Sequence, residues 1–240
     1  STAGNINADY NQVTGVLTLT GDESKTLYDA VIASLKYNNT ADIASLNNTP
    51  RVIHVEVTDT QGKTSNTAVS TINIQYPPTM DLDGNDSSGT IGKNYLGTFV
   101  VGGSSIAIAD TDMSITDQDN IPADDTATAQ ISRTSITLIN RPDGTNEGLS
   151  LDNAAITAIN ALGISIQTPA SYTASDLTDN FVLVDTDNNP ATAPSRDDFE
   201  TAIKLIQYSN SESNASIDTA NRIINVSATD VDGHQSNVAI

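Results

Sequence analysis

Cysteine and tryptophan are both absent from the 240 residues. Without Cys there is no disulfide, no thiolate metal site and no cysteine nucleophile, so zinc held by thiolate is excluded. Basic residues are scarce, with 10 Lys and Arg against 30 Asp and Glu and a formal net charge of −20. That balance repels a phosphate backbone and excludes nucleic acid as a partner. Aromatic residues make up 4% of the chain, too few for the stacking platform usual in carbohydrate-binding modules. Long apolar runs are missing as well. Runs such as Ile72 to Ile74 and Phe181 to Val184 are strand-sized, against the roughly 20 residues a membrane-crossing helix needs. Ser1 is not followed by a charged-then-apolar leader, as expected of a piece of something longer.

Motifs for catalysis are equally sparse. No G-x-G-x-x-G, Walker or G-x-S-x-G sequence occurs, which removes the usual phosphate cradles and the nucleophile elbow. His54 and His234 are the two histidines, and they stand at unrelated repeat positions, so they read as surface residues rather than a metal triad or a base. Val182 to Thr186 has the strand-and-turn pattern of an aspartic protease, yet Asp187 occupies the place where Gly is needed. These features predict a chain that is not an enzyme.

Strand patterns dominate what remains. Gly15 to Thr20, Arg51 to Thr58 and Thr134 to Ile139 alternate apolar and polar residues in Val/Ile/Thr-rich runs, the signature of half-buried antiparallel strands. Leu27 to Leu35 and Phe199 to Ile206 read instead as short helices. These two helices open an internal repeat. Residues 28–69 align without a gap to residues 199–240, every pair 171 positions apart, with 14 identities over 42 positions. Tyr37-x-Asn39 matches Tyr208-x-Asn210, Arg51 matches Arg222, Thr58-Asp59 matches Thr229-Asp230, Gly62 matches Gly233, and Ser65-Asn66-x-Ala68 matches Ser236-Asn237-x-Ala239.

A repeat of this length, with turn signals at the roughly 8–12-residue spacing of a sandwich, predicts an all-β protein of immunoglobulin- or cadherin-like β-sandwich repeats in tandem. Each unit carries a short helix before its penultimate strands. Residues 1–77 form the C-terminal half of one unit, Pro77-Pro78 mark the joint, and residues 78–240 form a second unit lacking its last strand. Ser171 to Asp198 is expected to be a long Pro- and Asp-rich loop replacing the compact Tyr10-to-Lys25 hairpin of the first copy.

Acidic residues gather in short clusters: Asp81-x-Asp83-x-Asn85-Asp86, Asp110-x-Asp112, Asp117-x-Asp119, Asp185-x-Asp187 and Asp230-x-Asp232. Alternating Asp and Asn on a turning backbone place several hard oxygens around one point, as a six- to eight-coordinate Ca²⁺ requires. Asp81, Asp83, Asn85, Asp110, Asp112, Asp117, Asp119, Asp230 and Asp232 are the candidate ligands, expected to meet at one end of the sandwich, and Asp143, Glu147, Asp185 and Asp187 are weaker candidates. The competing reading is that Asp and Asn serve as turn residues that accept backbone N–H bonds, with the charge keeping the protein soluble. No EF-hand is present, because Asp86 and Gly92 stand where that loop needs Gly and Glu.

Leu-x-Tyr-x-Asn, then Arg-x-Ile-x-Val-x-x-Thr-Asp-x-x-Gly-x-x-Ser-Asn-x-Ala, then Pro-Pro-Thr-Met-Asp81-Leu-Asp83-Gly and Ile115-Thr-Asp117-x-Asp119 resemble the bacterial cadherin-like repeats of giant secreted adhesins of the RTX type. The resemblance implies a secreted or cell-surface protein active in cell adhesion and biofilm formation, with Ca²⁺-rigidified repeats acting as an extender or scaffold. Its partners would be neighbouring repeats of the same long chain. Residues 1–77 would then be either the returning half of a domain split by an inserted ligand-binding domain or a half cut at an arbitrary boundary. Two other functions fit the sequence: a Ca²⁺-dependent glycan- or peptide-binding module using the 171–198 loop, and an accessory domain of a secreted hydrolase.

Overall fold

A computed structural model describes residues 4–41, 47, 49–117, 131–174, 176–186, 193–213 and 215–240. The chain divides into two compact units, Ser1–Leu46 and Asn47–Ile240. The sequence suggests a joint between repeats at Pro77-Pro78, within the second of these units. Gln75 donates to Asp232 at 2.5 Å and Tyr76 is buried, so the segment leading into Pro77 is tied to the turn after β13.

In the first unit, β1 (Asn7–Asn11) and β2 (Val16–Thr20) form an antiparallel hairpin, succeeded by α1 (Lys25–Ser34). Gly15 closes the turn at φ 70°, a left-handed conformation that favours glycine, while the Asn11 side chain accepts from the Val13 N–H at 2.9 Å. Ser24 caps α1 by accepting from the Leu27 N–H.

The second unit is β-rich. It contains β3 (Arg51–Val55), β4 (Ala68–Ile72), β5 (Thr79–Asp81), β6 (Ile106–Ala107), β7 (Ser114–Thr116), β8 (Ile131–Leu138), β9 (Glu147–Ser150), α2 (Asn153–Ala161), β10 (Ile164–Thr168), β11 (Asn180–Asp185), α3 (Arg196–Lys204), β12 (Gln207–Asn210) and β13 (Ile224–Asp230). Two antiparallel sheets, β10-β11-β8-β13 and β6-β12-β9, contribute to one apolar core. Ile136 and Leu138 of β8, Phe181 and Leu183 of β11 and Val226 of β13 meet there with Leu149 of β9 and Tyr208 of β12. Two further pairs, β3-β4 and β5-β7, complete the strand inventory of this unit among the described residues.

Helix α3 obeys its sequence closely. Ser195 and Asp198 form a reciprocal capping box, Asp197 and Asp198 sit in the positive first turn, and Lys204 sits in the negative last turn. Phe199, Ala202 and Ile203, at helical spacing, are the residues it buries. Helix α2 starts on Asp152, which accepts from the Ala155 N–H at 2.7 Å, and it buries Ala155 and Ile159. The stretch expected to be one loop, 171–198, instead contains β11 and the start of α3. Hairpin and helix therefore recur in both copies, with β10-β11-α3 standing where the first copy has β1-β2-α1.

Repeated residues make repeated bonds. Ser65 accepts from the Val57 N–H at 3.1 Å through its hydroxyl, and Ser236 does the same for Ala228 at 2.9 Å. Asp59 and Asp230 each anchor a turn, taking the Lys63 N–H at 2.9 Å and the His234 N–H at 2.7 Å, and each turn closes on a glycine with positive φ, Gly62 and Gly233.

Candidate metal centre

Register builds the centre. In the β5-β7 pair Asp81 lies opposite Ser114, so extending the antiparallel ladder by two residues brings Asp83 towards Asp112. The Asp110 N–H donates to the Leu82 carbonyl at 2.8 Å and carries the second segment past the first. Gly84 permits the final approach: a Cβ there would meet the Asp112 backbone oxygen at 2.9 Å, and its N–H donates to Asp112 Oδ1 at 3.2 Å. Carboxylate oxygens of Asp83, Asp110 and Asp112 thus lie within 4.8 Å of one another, a group able to hold a metal ion. Asp83 is fully buried, Asp110 half-buried and Asp112 exposed.

Hydrogen bonds favour the charged form of two of these carboxylates, Asp83 and Asp110. Bonding from Ser88, then from Ser87, keeps the Asp83 carboxyl below its ordinary range despite the opposing cost of burial. The Ser87 hydroxyl donates to Asp110 Oδ2 at 2.8 Å, and with Thr111 it lowers that carboxyl too, against the repulsion of Asp83. Asp83 and Asp110 are therefore ionised at neutral pH. Their oxygens already take N–H and O–H donors, and a carboxylate keeps further lone pairs for a cation. Three hard oxygen donors suit Ca²⁺ or Mg²⁺ rather than a metal that selects sulfur or imidazole.

The neighbouring candidates do other things. Asp81 accepts from the Asp83 N–H at 3.1 Å and lies 3.9 Å from the Lys93 ammonium. Asn85 accepts from the Ser87 N–H at 2.8 Å, a turn role. Asp117 is buried just past the end of β7, with that strand between it and Asp112 in the chain. Asp119 and Asp187 lie outside the described residues, and Asp185 ends β11 opposite Ile164. Asp230 gives one oxygen to the His234 N–H and the other to the His234 ring at 3.0 Å, and Asp232 accepts from Gln75. The structure thus brings Asp110 and Asp112 to Asp83, and it assigns Asp230 and Asp232 to the β13 turn.

Asp143 and Glu147 form a different centre, with a cation already in it. Arg222 donates from Nε to Glu147 Oε2 and from a terminal nitrogen to Asp143 Oδ2, both at 2.6 Å, with 11%, 0% and 4% of the three side chains exposed respectively for Arg222, Glu147 and Asp143. The Tyr208 hydroxyl donates to Glu147 at 2.6 Å, and Asn210 donates to Asp143 at 2.7 Å. Burial, then the bond to Glu147, pushes the Tyr208 phenol up to about 12. Burial works against the Asp143 carboxylate, but donors from Asp218, Asn210 and Arg222 bring its pKa below the ordinary value. The guanidinium satisfies these carboxylates, so the pair stabilises a turn instead of ligating a metal. Tyr208, Asn210 and Arg222 are the residues whose functional grouping the sequence reading missed, although their recurrence at Tyr37, Asn39 and Arg51 marked them.

No family profile, no characterised protein and no solved structure matches the chain. Among the described residues, no helix is long and apolar enough to cross a membrane.

Proposed function

We propose that this chain is a non-enzymatic, extracellular extender or scaffold segment of a bacterial surface adhesin, made of immunoglobulin- or cadherin-like β-sandwich repeats. Ca²⁺ held by Asp83, Asp110 and Asp112 rigidifies the segment between β5 and β7 and so stiffens the chain that projects a binding domain. The observation that carries the reading is the convergence of three carboxylates from two loops. Ca²⁺ supplies the positive charge that lets them stay close, and the protein supplies oxygen ligands and a loop tied by Gly84. Further support comes from two antiparallel sheets sharing a core, and from the gapless repeat.

The binding-module alternative is weaker because the described residues at the start of the 171–198 stretch are engaged with the body of the fold. Tyr172 packs edge-on against Phe181 with ring centroids 4.9 Å apart, and its hydroxyl bonds the Leu151 backbone. A single experiment separates the two. Thermal unfolding and small-angle scattering are recorded in millimolar Ca²⁺ and in chelator. The extender predicts a higher melting temperature and a longer, stiffer particle with Ca²⁺, an effect that Asp112→Ala removes and Asp232→Ala does not. Indifference of both measurements to Ca²⁺ contradicts it.

A further inference from the structure

The β3-β4 hairpin carries recognition residues whose counterparts in the second copy are occupied. Arg222 bonds the Asp218 and Ala220 carbonyls and still reaches Glu147 and Asp143. Arg51 makes the equivalent bonds to the carbonyls of Asn47 and Thr49, and among the described residues no carboxylate pairs with it. Asn237 clamps the edge of β5 with both ends of its amide, donating to the Met80 carbonyl and accepting from the Met80 N–H, each at 2.9 Å. Asn66, its counterpart, reaches only the Thr67 carbonyl among the described residues, at 3.5 Å. The apolar positions show the same division. Val226, Ala228 and Ala239 are fully buried, whereas Val57 is 50% exposed and Val55 and Ala68 are not buried.

From this correspondence we infer that β3-β4 is a docking surface for a further first half of the same repeat, with the chemistry of residues 78–163. That partner brings a Met80-type strand whose backbone Asn66 clamps and an Asp-x-x-x-Glu turn, as at Asp143 and Glu147, which neutralises Arg51. Docking of this kind follows from the internal repeat and is independent of Ca²⁺, since Arg222 and Asn237 make the contacts that Arg51 and Asn66 lack among the described residues. Charge adds selectivity: an edge presenting an arginine favours a strand delivered with an acidic turn over an arbitrary apolar edge.

The test extends the full chain. Residues 78–163 are duplicated ahead of Ser1, in one version directly and in another through a flexible Gly/Ser spacer that does not force the junction. Amide hydrogen exchange is read at 51–55 and 68–72 in chelator, with 224–230 of the same molecule as the internal reference. Docking slows exchange at 51–55 by about 100-fold or more relative to the unextended chain. Arg51→Ala, Asn66→Ala, or alanine at the duplicated counterparts of Asp143 and Glu147 each returns roughly 10-fold of it. Exchange at 51–55 that stays fast in both versions while 224–230 stays protected overturns the inference. So does protection that survives Arg51→Ala combined with Asn66→Ala. Concentration-dependent dimerisation of the unextended chain that protects 51–55 also overturns it, since the occupant is then a second copy.

Discussion

The same pattern, Arg-x-Ile-x-Val, forms β3 and runs into β13 from Arg222, and both lead into turns anchored by Asp59 and Asp230 with matching bonds. Yet β13 is paired with β8 along its length and buries Val226, while β3 pairs with β4 and leaves Ile53 exposed, with Val57 exposed just beyond it. Local sequence chooses the strand, the turn and the hydroxyl that bridges the hairpin. Burial is chosen by the elements that pack on the strand, and residues such as Arg51 and Asn66 record a partner without supplying one.

That comparison breaks most visibly at the arginines. Arg222→Ala leaves Glu147 buried without its cation and is expected to cost roughly 3–5 kcal/mol in urea unfolding. Arg51→Ala, at the aligned position, is expected to change stability by no more than about 0.5 kcal/mol. Asparagine gives the next contrast. Asn237→Ala strands the Met80 N–H and carbonyl and should cost about 1–3 kcal/mol, whereas Asn66→Ala should be silent in the same assay.

The acidic centre yields smaller effects. At a Ca²⁺ concentration ten times the dissociation constant, stabilisation is about 1.4 kcal/mol, with a dissociation constant of roughly 10⁻⁴–10⁻³ M as in extracellular modules. Titration calorimetry should show this binding lost in Asp112→Ala and kept in Asp230→Ala, whose carboxylate belongs to the turn. Without Ca²⁺, pH becomes a probe. The Asp83 and Asp110 carboxyls are lowered from 3.8, so the folded state binds fewer protons than the unfolded state near that value. Their stabilisation is present above about pH 4 and is lost as pH falls through the lowered folded values. The urea midpoint should fall on acidification, and Asp83→Asn should flatten that dependence. The subtlest effect is spectroscopic: Tyr208, pushed up to about 12, should be the last tyrosine to ionise in an alkaline absorbance titration. Tyr208→Phe should remove that final step.

Much of this was legible in the sequence. The repeat, α1 and α3 could be read because caps, periodicity and register agree locally. Helix α2 gave little contrast, since Asn, Thr and Ala dominate it and Ala155 and Ile159 are the residues it buries. The acidic clusters were visible as clusters, but their partners depend on the β5-β7 register, which no local pattern fixes. Asp83 could be joined to Asp110 and Asp112 or to Asp117 until the ladder placed the last at the far end of β7. Asp143 and Glu147 lie 79 and 75 positions from Arg222, so their pairing is a tertiary fact. A signal for it did exist, because polar Tyr, Asn and Arg recurring at fixed places in otherwise apolar strands imply a shared buried partner. Asp230 was readable as a turn residue from Asp59, which repeats with a glycine three positions on but without a second acid.

Hydrogen exchange on the unmodified chain decides whether β3 lacks a partner that β13 has, by comparing amides 51–55 with amides 224–230 in one molecule. The account predicts that β13 exchanges only through near-global unfolding, while β3 exchanges through local opening at least about 100-fold faster. Equal protection of the two strands would contradict it, because β3 would then be as fully partnered as its copy.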